Sequence, residues 1–227
     1  MFKEIKELLS KNVDTKYKSF VEKSVPTANN VMGVRLPVLR KIATKICKGD
    51  VNDFIENYPC VSYEDKMLMG IVIAQSNISI ENKIEYLKNY IPFINDWGTC
   101  DTMIATLKLK ENELSKVYEF IMDYRYSNKE YELRFLIVTL MYYYLNDEHL
   151  DSITEIIDSI HVDYYYTNMA TAWLISYMYF ANKEYTLNYL KNNDLDTFTY
   201  NKALQKIMES KKINKEEKEQ IKSMRKK

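Results

Sequence analysis

The 227 residues carry 32 Lys and Arg against 32 Asp and Glu, a formal net charge of +0, so any binding to nucleic acid must come from a local patch. With 46% hydrophobic residues the chain buries a sizeable core, which excludes a disordered segment. Four Gly and four Pro are sparse punctuation for hairpins, and the composition favours an all-helical protein.

Taken in chain order, apolar periodicity predicts helices beginning near Phe2, Asp14, Pro37, Val51, Tyr63, Ile80, Trp97, Glu111, Lys129, His149, Asp163, Lys183, Thr197 and Asn214. Pro37 suits a first helical position, and Asn214 with Glu217 three residues later resembles an N-terminal capping pair. Nothing reads as strand. Fourteen short helices joined by short turns fit stacked helical pairs better than one globular bundle, and alternate starts recur at intervals near those of HEAT and armadillo units. The expected fold is therefore an all-α superhelix, a HEAT-like or armadillo-like solenoid with a concave face, forming a single domain over residues 1–227.

The first helix, MFKEIKELLSKN, is amphipathic with charges throughout, unlike a signal peptide. No stretch elsewhere reaches the ~18 uncharged apolar residues of a membrane span. Cys47, Cys60 and Cys100 match no zinc or disulfide spacing, and their odd number argues against a disulfide framework. Together these point to a cytoplasmic protein. The tail from Lys211 to Lys227 has eight basic residues against three acidic ones and reads as a solvated basic helix.

Four segments carry residues with chemical potential. In VMGVRLPVLRKIATKI, a Gly precedes Arg35, a Pro opens a helix, and Arg40, Lys41 and Lys45 follow; this reads either as a loop with solvated charges or as backbone approaching a phosphate that the cations neutralise. In INDWGTCDTM, Trp97 and Asp101 stand four residues apart, so one face of a helix presents an aromatic plane and a carboxylate. A Trp at a helix start is by itself more often a core anchor than a ligand plate.

In YELRFLIVTLMYYYLND, Arg134 heads a strongly apolar helix and must reach solvent or face a groove, because a buried unpaired guanidinium is very costly. DYYYTNMATAWLISYMYF, which carries Trp173, reads as a central buried helix rich in Tyr. The phosphate-loop, dinucleotide, zinc-protease and nucleophile-elbow motifs are all missing, and His149 and His161 sit at helix boundaries.

In order, GVRLPVLRKIA, DWGTCD, LRFLIVTLMYYYL, YYYTNMATAWLISY and TFTYNKALQKIMES resemble the DNA alkylation repair family of AlkD-like, HEAT-like repeat DNA glycosylases, over about Phe2 to Ile213. DWGTCD and NMATAWLIS are closest to a shorter branch of that family. The resemblance implies that Trp97, Asp101 and Trp173 surround a damaged nucleotide in double-stranded DNA and that Arg134 holds a flanking phosphate. Arg35, Arg40 and Lys41 are the further candidate DNA contacts. It also implies a monofunctional enzyme that excises cationic N3- and N7-alkylpurines without base flipping, with no cofactor, no metal and no obligate protein partner. Ser176 stands near the place where active members are expected to carry a further basic residue. Two other readings keep the same fold: a noncatalytic binder of damaged or structured DNA, and a protein-interaction scaffold.

Overall fold

A computed structural model describes residues 1–227. The protein is all-helical, with helices α1 (Phe2–Lys11), α2 (Thr15–Ser24), α3 (Leu36–Ile46), α4 (Val51–Asn57), α5 (Tyr63–Gln75), α6 (Ile80–Tyr90), α7 (Trp97–Thr106), α8 (Glu111–Met122), α9 (Glu130–Tyr143), α10 (Leu150–Asp158), α11 (Tyr165–Ala181), α12 (Lys183–Tyr189), α13 (Thr197–Glu209) and α14 (Lys215–Ser223). The only bridge-type pairing is an isolated antiparallel contact between Val13 and Val34. No helix is long and apolar enough to cross a membrane.

The predicted starts hold to within about two residues because the caps are local. Asp14, Asp50, Ser62, Ser79, Asp96, Asn182, Asp196 and Asn214 each accept a hydrogen bond from a backbone N–H three residues on, satisfying a donor that the first turn would otherwise leave open. Asn214 and Glu217 form a reciprocal capping box, as their spacing predicts. Pro37 occupies the second position of α3, one residue later than expected.

The chain forms two compact units, Met1–Phe120 and Ile121–Lys227. In the first, α3 packs on α5 and α5 on α7, with α4 and α6 flanking α5. In the second, α9 packs on α11 and α11 on α13, while α12 flanks α11 and α14 flanks α13. Alternate helices thus stack on each other, the packing expected of a helical-repeat superhelix.

The middle helix of each stack is sealed on nearly every side. α5 is buried from Tyr63 to Ala74 except at the half-buried Lys66, and α11 buries Ala170, Thr171, Ala172, Leu174, Ile175, Ser176, Met178 and Tyr179. This is why these helices show no polar face in the sequence.

The C-terminal segment is less solvated than its charge suggests. Ile213 and Ile221 are buried, the Lys226 ammonium lies 4.3 Å from the centre of the Tyr200 ring, and Lys226 and Asn201 exchange hydrogen bonds of 2.9 and 3.0 Å. The lysines reach water while the isoleucines dock α14 on α13.

Candidate functional site

The motif around Trp97 is built from its cap outward. The Asp96 carboxylate accepts from the Thr99 backbone N–H at 2.6 Å and from the Thr99 hydroxyl at 2.8 Å, fixing the first turn of α7. Burial pushes the Asp96 carboxyl above its ordinary range, against the Thr99 hydrogen bonds and the charge of Lys66, and the Asp101 charge adds to the rise. Gly98 is there for space: a Cβ at that position would overlap the Tyr63 hydroxyl of α5. Cys100, Met103 and Ile104 complete the face buried within the unit.

What remains of α7 is a half-open stripe of Trp97, Asp101 and Ala105 at four-residue spacing. Trp97 is neither loose nor a core residue. Its indole N–H donates to the Ser24 carbonyl at the end of α2, at 3.1 Å, which fixes the ring plane while part of it stays accessible. Asp101 is likewise half-buried, one turn along the same face.

The loop before α3 answers the question raised by VMGVRLP. Gly33 has φ +97°, and a Cβ there would lie 2.5 Å from the Asp14 carbonyl oxygen. The backbone N–H groups of Met32, Gly33 and Val34 all donate to the buried Glu64 carboxylate, at 2.8, 2.6 and 3.1 Å. The backbone donors that looked suited to a phosphate therefore serve an internal carboxylate.

Arg35 is engaged too, donating from Nε and Nη2 to Asp14 Oδ2 at 3.0 and 2.8 Å while its guanidinium lies over Tyr17. Arg40 and Lys41 on α3 are exposed.

In the second unit Arg134 is 5% exposed, and its Nη1 donates to the Tyr166 carbonyl at 2.7 Å. Of the two outcomes its sequence position suggested, reaching solvent or facing a groove, the first does not occur, and the buried guanidinium is paired with a main-chain carbonyl. One turn earlier on α9, Glu130 accepts from the Tyr166 backbone N–H at 2.6 Å, and its carbonyl accepts from the Thr167 hydroxyl at 2.9 Å. Glu130 and Arg134 thus tie the start of α9 to the start of α11.

Lys202 and Lys206 on α13 belong to the same electrostatic neighbourhood. Burial lowers the Lys206 pKa, and the charges of Lys202 and Arg134 push it the same way against Glu209. The sequence signal is their i, i+4 spacing in TYNKALQKIME.

Trp173 lies two turns beyond Tyr166 on α11, half-exposed and set edge-on against Tyr142 and Tyr177 at 6.4 and 5.8 Å between ring centres. Ser176 is buried, and its hydroxyl donates to the Trp173 carbonyl at 2.7 Å. No group of three or more His, Cys, Asp or Glu side chains is placed to hold a metal ion.

Residues 5–207 match the family model described as DNA alkylation repair enzyme. The chain belongs to that family. No curated protein matches the sequence. Membership in the DNA alkylation repair family gives the protein a role in repair of alkylated DNA. Within the family match fall Trp97, Asp101, Arg134 and Trp173, along with Arg35, Arg40 and Lys41.

Proposed function

We propose that this member of the DNA alkylation repair family is a monofunctional DNA glycosylase. It binds double-stranded DNA and hydrolyses the bond between deoxyribose and a cationic N3- or N7-alkylpurine without turning the base into a pocket. It works in the cytoplasm without metal or cofactor. The observation that carries this reading is the half-open stripe on α7, where an aromatic ring pinned by the Ser24 carbonyl lies one turn from the Asp101 carboxylate.

An alkylated purine already bears positive charge, so it departs without a general acid. The C1′–N bond breaks, its electron pair neutralises the leaving base, and positive charge grows on the sugar. Asp101 stabilises that charge and accepts the proton of the water whose oxygen bonds to C1′. Trp97 and Trp173 pack against deoxyribose and backbone, and Arg134 supplies positive charge for a flanking phosphate, supported by Lys202 and Lys206. Arg40 and Lys41 add backbone contacts from α3, and Arg35 supports the loop through Asp14. Selectivity comes largely from the lability of the lesion, where base-flipping enzymes rely on a pocket.

The test is release of free alkylated base from methylated duplex by wild type, Asp101→Asn and a no-protein control. Release by wild type, reduced about 10²- to 10³-fold or more in the variant, is expected if a preorganised charge is removed. A second reading, a noncatalytic binder of damaged DNA, draws on Ser176, which is short, buried and bonded to its own helix where a cation would add charge. It wins if wild type releases nothing above control yet binds duplex in a salt-sensitive way. Absence of salt-sensitive duplex binding would refute both and leave a protein-interaction scaffold.

A further inference from the structure

Ala105 continues the stripe that carries Trp97 and Asp101, and it opens onto a cleft of about 530 Å³ inside the first unit. The ends of α3, α5 and α7 and the start of α8 form its walls. Four cations line it, Arg40, Lys83, Lys108 and Lys110, against one carboxylate, Glu113.

Two of the four are committed. Lys83 donates to the Ala74 carbonyl at 2.9 Å, which satisfies an open acceptor at the end of α5. Lys110 lies 4.0 Å from Glu113 Oε1, and its backbone N–H donates to Glu113 Oε2 at 2.8 Å. Glu113 is thereby occupied with the start of α8.

Arg40 and Lys108 are exposed, and the Arg40 guanidinium and the Lys108 ammonium take no hydrogen bond or ion pair within the protein, although the Arg40 carbonyl accepts from the Thr44 hydroxyl. Lys108 has φ +47°, a left-handed conformation uncommon for a residue with a side chain, two residues past the end of α7. Burial holds the Lys83 pKa down; the Lys110 charge adds to this, while Glu113 and the Cys47 thiol oppose it. An anion entering the cleft would meet positive charge that one carboxylate does not balance.

The position along α7 says which anion. Four residues of helix rise about 6 Å, and a DNA strand advances about 3.4 Å per nucleotide. A strand that runs along α7 with its reacting nucleotide at Asp101 therefore brings a backbone phosphate, one or two nucleotides along, to the mouth of this cleft.

We propose that the cleft is a phosphodiester subsite, with Arg40 and Lys108 as direct contacts and Lys110 shared with Glu113. It rests on the duplex-binding reading above and deepens it. The subsite fixes the register of the strand relative to Asp101 by a contact that carries no base information.

The test compares the salt dependence of duplex binding for wild type, Arg40→Ala/Lys108→Ala, and a control pair on the exposed side of α1, Lys3→Ala/Lys11→Ala. Equal thermal midpoints establish that the substitutions leave the fold intact. The expected result is a plot of log affinity against log salt shallower by about 0.9 in the cleft variant, the contribution of one phosphate, and unchanged in the control. An unchanged slope in the cleft variant, with wild type binding duplex normally, overturns the subsite and with it the Arg40 backbone contact, and leaves the rest of the duplex-binding reading standing. Failure of wild type to bind duplex defeats both together. A third arm adds inorganic phosphate at constant ionic strength: a rise in the thermal midpoint of wild type but not of the cleft variant, without the slope change, assigns the cleft to free phosphate and overturns the strand contact.

Discussion

Gly98 shows how one residue sets the position of the candidate catalytic pair. Its missing side chain lets the Tyr63 hydroxyl approach the first turn of α7, which sets the height of Trp97 and Asp101 relative to α5. Adding a methyl there forces one of the helices to move. Gly98→Ala is expected to cost about 1–3 kcal/mol, the usual range for overpacking, even though Ala is the better helix former. Removing the hydroxyl by Tyr63→Phe should recover much of that loss, and urea midpoints of the two single variants and the double variant measure it. Additive losses would mean that the hydroxyl is not the obstacle. The motif DWGTCD was readable as a helix start with a shared Trp and Asp face. The reason for its glycine was not, because the partner atom lies 35 residues away in sequence.

Among the elements, α14 departs most from its sequence reading. Its lysines and glutamates suggest a solvated appendage, yet Ile221 is completely buried and a Lys183–Glu217 ion pair joins the helix to α12. Replacing Ile221 with Ala should cost about 2–5 kcal/mol, as for other buried aliphatic truncations. Lys218→Ala should change stability by less than about 0.5 kcal/mol. Thermal unfolding of the two variants distinguishes a docked helix from a loose one: equal midpoints would show that the tail adds nothing to the fold. The single apolar residues on an otherwise charged helix were visible, but their partner surface on α13 was not.

For the molecule as a whole, equal numbers of acids and bases conceal acids in opposite environments. Asp65 is buried, which alone would raise its pKa, but Lys6 at 2.6 Å, the Ser62 backbone and the Tyr58 hydroxyl outweigh that effect and hold it below the ordinary 3.8. Its stabilising contribution is therefore complete above about pH 3.8 and is lost as pH falls through the lower folded-state value. Asp96, raised by burial, behaves oppositely: its contribution is complete below that pH and is lost as pH rises through the higher folded-state value. Asp65→Asn should flatten the loss of stability on the acid side, and Asp96→Asn, which keeps a capping side chain, should flatten the loss that accompanies rising pH. Denaturant midpoints from pH 2.5 to 7 check both, and unaltered profiles would show that these two carboxyls do not govern acid unfolding.

The sequence by itself determined the helical class, nearly every helix start and the stacking of alternate helices, because caps act over three residues and apolar periodicity acts within one helix. It also singled out Trp97 and Asp101 as neighbours, since i, i+4 spacing is a property of the helix alone. Only the tertiary structure decided where the longer side chains spend their charge. Arg35 is drawn to Asp14, Arg134 to the Tyr166 carbonyl, and the loop amides at residues 32–34 to Glu64, whereas Arg40 and Lys108 stay available at a cleft. Such choices depend on desolvation and on partners 21 to 32 residues away, and no local pattern of residues encodes which partner will be within reach.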